Sequence, residues 1–138
     1  MKELHQFILQ QEDEVYTLGP VSLDDIQSAE AELSHQLPED VSLYVQKYGA
    51  LSFGSVEFFG LGMKRSSHLH LVQQTLNFRK EKGFPTDAVV LEAIGDGHFA
   101  VCRPDGAVLR WAFPTYLDET SQLAPSAIEY MMMRLQEA

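Results

Sequence analysis

An α+β fold is predicted by three observations. Two capped amphipathic helices precede the first clear strand, three apolar-rich runs separated by Asp-Gly turns follow as an antiparallel meander, and a last amphipathic helix closes the sequence. The 138 residues are expected to form one domain, with the antiparallel sheet packed against amino-terminal and carboxy-terminal helices. A chain of this size removes about two-thirds of its unfolded surface from water, enough for an ordinary core.

The elements follow in order. Leu4, Phe7 and Ile8 recur at helical spacing, so a short amphipathic helix opens the chain and stops at Glu12-Asp13-Glu14. Gly19-Pro20 breaks any regular element. Ser22 is a candidate N-cap with Asp25 three residues on, and Val21 and Ile26 occupy the staple positions around it. Leu23, Ile26, Ala29, Leu33 and Leu37 form the apolar stripe of this second helix. Pro38 suits the first turn of a third helix, Glu39 and Asp40 complement its positive end, and Val41, Tyr44, Val45 and Tyr48 form its stripe before Gly49. Val56–Phe59 is predicted as the first clear strand, and residues 69–82 as a helix ending at Gly83. That helix is apolar on two sides, with Leu71 and Phe78 opposite Leu69, Val72 and Leu76, which predicts that it is sandwiched.

The runs Ala88–Ile94, His98–Arg103 and Ala107–Ala112 are separated by Gly95-Asp96-Gly97 and Pro104-Asp105-Gly106, where Asp-Gly supplies the positive φ of a hairpin turn. The last helix is predicted from about Ala124 or Pro125 to Gln136. Ile128, Met131, Met132 and Leu135 lie on its buried face, and Tyr130 and Met133 point away.

Charge is distributed unevenly. Residues 1–60 hold eleven acids against Lys2 and Lys47, a balance of −9, whereas residues 61–138 hold nine acids and eight bases, a balance of −1. Such a chain repels phosphate backbones and anionic lipid, so nucleic acid and membrane surfaces are poor partners, and a basic protein is a better one. Asp24, Asp25, Glu32, Glu39 and Asp40 lie on polar faces or at helix starts, where they can meet a basic partner or simply stabilise helix ends and keep the chain solvated. Exposed Tyr130 and Met133 would add apolar contact area. Glu30 falls inside an apolar stripe, and the favoured reading is a structural one, tying its helix to amides of a neighbouring loop.

No catalytic or cofactor constellation emerges. His68 and His70 lack a nearby Cys or acid to complete a metal site. His98 and Cys102, four residues apart on one strand, stand about 13 Å from each other, beyond hydrogen-bond reach. Gly60-Leu61-Gly62 lacks the rest of a phosphate loop, and Glu57 and Glu92 read as solvated strand residues. A single cysteine excludes an internal disulfide, no apolar run approaches a membrane span, and no export signal is evident, so a cytoplasmic location is expected.

The order Glu30, Leu37-Pro38, Tyr44-Val45, Tyr48-Gly49, followed by Gly95-Asp96-Gly97-His98-Phe99-Ala100-Val101 and Asp105-Gly106-Ala107-Val108, resembles the SUKH superfamily. Ser34 stands where that family commonly has glycine, and Tyr48 where asparagine is frequent. Many members are bacterial toxin-immunity proteins, and others include fungal regulators of cell-wall synthesis. The resemblance implies an immunity protein, not an enzyme, that binds and neutralises a toxin such as a nuclease or deaminase domain. An interaction module or regulator of the same fold is the alternative.

Overall fold

The computed structural model describes residues 1–112 and 117–138. The described elements run α1 (Lys2–Gln10), β1 (Val15–Thr17), α2 (Leu23–Leu33), α3 (Glu39–Tyr48), β2 (Leu51–Phe53), β3 (Val56–Phe58), α4 (Leu71–Phe78), β4 (Val89–Gly95), β5 (His98–Cys102), β6 (Val108–Ala112), β7 (Leu117–Ala124) and α5 (Ala127–Glu137). The strands form one antiparallel sheet in sequence order, β1 through β7. This is the predicted α+β architecture with a longer meander. Two three-residue strands precede Val56, and an eight-residue strand follows Ala112. Strands of three residues are too short to show a period-two pattern, which is why β1 and β2 escape a periodicity reading.

Local chemistry sets the boundaries. Ser22 accepts a hydrogen bond from Asp25 N at 3.1 Å, and Val21 and Ile26 are both buried beside it. Leu23, by contrast, is 61% exposed, because the first helical turn faces solvent before the stripe of Ile26, Ala29 and Leu33 takes over. Ser34 adopts φ 62° at the C-cap of α2, the left-handed conformation in which glycine carries no steric cost. At the β4–β5 turn, Asp96 and Gly97 have φ of 55° and 79°, the two positive values a tight hairpin needs. The expected helix over 69–82 is shorter, and His70 caps it by accepting from Gln73 N through Nδ1 at 3.3 Å.

The ends of α3 and β3 meet through glycine. Leu61 N donates to Gly49 O at 2.8 Å and Leu71 N to Gly60 O at 2.8 Å. A Cβ on Gly60 would collide with the Gly49 carbonyl oxygen, so only a bare backbone fits there.

Helices cover both faces of the central sheet. Residues Val89–Glu92 are buried without interruption, a pattern that requires cover on each side. Glu92 pairs with Ala100 and Ala93 with Phe99, so these adjacent rows point to opposite faces. On one, Phe78 of α4 packs edge-on to Phe99 at 4.5 Å and Trp111 at 5.3 Å between ring centroids, and Thr75 Oγ1 accepts from Val90 N at 3.1 Å. On the other, Tyr130 of α5 packs against Phe58 at 6.4 Å. The predicted sandwiching of α4 is thus realised, with Leu71 fully buried.

Candidate partner-binding groove

Placement of α5 determines the site. Glu92, expected to be solvated, is 2% exposed and accepts from three donors: Tyr130 Oη at 2.5 Å, Arg134 Nε at 2.9 Å and Arg134 Nη2 at 2.9 Å. A buried carboxylate survives because the guanidinium fork matches both of its oxygens. The bond to Glu92 holds the Arg134 proton more tightly than usual, while burial first and the Glu92 carboxylate second push the Tyr130 phenol above its ordinary range. The other end of α5 is fixed by Ser126, whose hydroxyl accepts from Glu129 N at 3.2 Å, and by Asp40 Oδ2, which accepts from Ile128 N at 3.3 Å.

These attachments leave an open groove of about 770 Å³ between the first turn of α1, the start of α3 and the outer side of α5. Leu43, Ile128, Met132 and Met133 supply its apolar floor, and Glu3, Asp40, Glu129 and Glu137 its acidic rim, with Lys2 the basic residue among its lining side chains. Leu43, 39% exposed, also borders a second, polar groove of about 700 Å³ that contains Glu30, His35 and Glu39. The two hollows therefore share a ridge.

The residues singled out by sequence fall into three places. Asp40 and Met133 meet in the first groove. Glu39 lies in the second, together with Glu30, whose Oε2 accepts from Leu37 N at 2.7 Å and so ties α2 to the loop before α3. Asp24, Asp25 and Glu32 are exposed on α2, and Glu32 is bound by Arg65 at 2.6 Å. Tyr130 is a correction: it is 1% exposed, drawn inward by Phe58 and Glu92, and offers no outer surface. Met132, expected on the buried face, is instead half-buried in the groove floor.

Sequence reasoning also passed over Glu3, Leu43 and Glu129. The available signal for Leu43 was its position off the Val41, Tyr44, Val45, Tyr48 stripe. Cys102 is buried, its Sγ donates to Gly106 O at 3.5 Å, and burial pushes the thiol up to about 12. Among the described residues no group of three or more His, Cys, Asp or Glu side chains is positioned to hold a metal ion, and no helix is long and apolar enough to cross a membrane.

The family profile described as SUKH_5, SMI1-KNR4 cell-wall, matches residues 1–136. The chain belongs to this family. Its fold is also similar to that of a protein from Pseudomonas syringae pv. tomato seen in a crystal structure, with a TM-score of 0.63 and 19% identity over 75% of each chain. No match was found among curated proteins.

Proposed function

We propose that this SUKH protein is an immunity-type inhibitor that binds a toxin with a basic surface and neutralises it by direct contact in the cytoplasm, without catalysing a reaction. The observation that carries the reading is the groove at α1, α3 and α5, which is lined by apolar side chains together with the carboxylates of Glu3, Asp40, Glu129 and Glu137. An inhibitor needs a complementary face of roughly 1,200–2,000 Å² in total and a few buried anchors, not a reactive group. The balance of −9 over residues 1–60 would accelerate encounter with a cationic partner more than it tightens the final complex.

A regulatory interaction module is the second reading, favoured by the cell-wall description of the family. The groove would serve it equally, but with a partner unrelated to any toxin. Co-expression of a toxin encoded beside this protein separates the two. The inhibitor reading predicts survival together with co-purification of the pair, and survival without a complex would contradict it. Association should slow as salt rises from about 0.01 to 0.15 M, because screening shortens the reach of surface charge.

A further inference from the structure

The geometry points to a defined occupant for the groove: a cationic amphipathic segment of the partner that places an apolar side chain between two basic residues about two helical turns apart. This deepens the inhibitor reading and rests on it. Glu129 and Glu137 stand eight residues apart on α5, and at 1.5 Å per residue their backbones are separated by about 12 Å along the helix. Glu137 Oε2 accepts from Arg134 Nη1 at 3.5 Å, a long contact on a carboxylate that is still 58% exposed to an incoming basic group. Met132 and Met133 lie between them in sequence and in the groove floor. A facing segment that satisfies both carboxylates must therefore present something apolar midway, or leave the methionines facing polar groups.

Leu43 from α3 and Ile128 complete the apolar seat, while Asp40 and Glu3 extend the acidic rim across the groove. Two features favour this occupant over a second copy of the chain. The amino-terminal half of another copy would bring its own excess of acid to an acidic rim. Adjacent half-buried methionines also adapt to partners of different shape, since the thioether chain is unbranched and has several accessible torsional minima. The acids on α2 do not offer the same combination. Glu32 is held by Arg65 at 2.6 Å, closer than the 3.5 Å between Arg134 and Glu137, and its hollow lacks a methionine pair.

The test uses a short labelled helical peptide with two arginines two turns apart and a leucine between them, followed by fluorescence anisotropy with the full chain. Binding is expected, with a loss of about tenfold or more on replacing the peptide leucine by serine. A similar loss is expected for the protein variants Met133→Lys and Leu43→Lys, each checked for an unchanged melting temperature, whereas Asp24→Lys on α2 should stay within about twofold. Equal binding of the serine peptide, equal effects at Asp24 and Met133, or no binding of the leucine peptide would overturn the proposal. The co-expression assay keeps the two readings apart: protection retained by both groove variants refutes this occupancy alone, and failure of the unsubstituted protein to protect refutes the inhibitor reading.

Discussion

The two sides of α5 differ in what they ask of their residues. The inner side is committed to the fold: Tyr130 and Arg134 converge on one buried carboxylate of β4, and Met131 and Leu135 are buried with them. On the outer side Glu129, Met132, Met133 and Glu137 line a groove together with α1 and α3. Tyr130 and Met133 are three residues apart, and a helical wheel placed both on one outward face. The structure divides them because Glu92 offers the phenol a charged acceptor inside the protein, whereas nothing comparable draws in Met133. An amphipathic pattern locates a helix better than it locates the edge of that helix's buried face.

The largest effect should come from the inner side. Arg134→Met leaves Glu92 buried with the Tyr130 hydroxyl as its remaining partner there, and should cost about 3 kcal/mol in denaturant unfolding. The double variant Glu92→Leu/Arg134→Met removes both charges and should recover much of that loss; no recovery would show that the pair contributes more than mutual compensation. Ser126→Ala, which frees an amide at the start of α5, should cost about 1 kcal/mol. Asp40→Asn sharpens the contrast further. The amide retains an acceptor for Ile128 N but gives up the negative charge at the start of α3, so stability should fall by only about 0.5 kcal/mol, while association with a basic partner slows.

The inner side also predicts an alkaline limit. Tyr44 and Tyr130 are both raised above the ordinary phenol value, chiefly by burial, so the folded state holds these protons more tightly than the unfolded one. Their contribution is therefore complete below pH of about 10 and is lost as pH rises above it. Absorbance of tyrosinate during alkaline titration should appear for these two residues together with unfolding, not before it. At the opposite end of the range, His70 is shifted down, first by burial and then by Arg65. The folded state favours its neutral form, so its contribution is present above the ordinary histidine value and declines as pH falls through it. The protection of the Gln73 amide, measured relative to its intrinsic exchange rate at each pH, should fall on acidification, and His70→Asn should abolish the change.

Much of the architecture was legible in the sequence because its signals are local. Ser22 with Asp25, and Asp96-Gly97, act within a few residues, and both features stand where the pattern placed them. The strands β1 and β2 were hidden by their shortness, and the partners of Glu92 by distance, since Arg134 lies forty-two residues away in sequence. The same reason limits the reading of the groove. Asp40 and Met133 could each be identified as candidate surface residues, but only the packing of α3 on α5 brings them to one hollow. Conversely, Glu32 looked as available as Asp40 until Arg65, thirty-three residues away, was found beside it.

Hydrogen–deuterium exchange of the protein alone and bound to its partner tests the division most directly. Protection confined to the start of α3 and the length of α5, including Leu43 and residues 128–137, is the predicted result. Protection centred on α2 around Asp24, Asp25 and Glu32, with α5 unchanged, would contradict it.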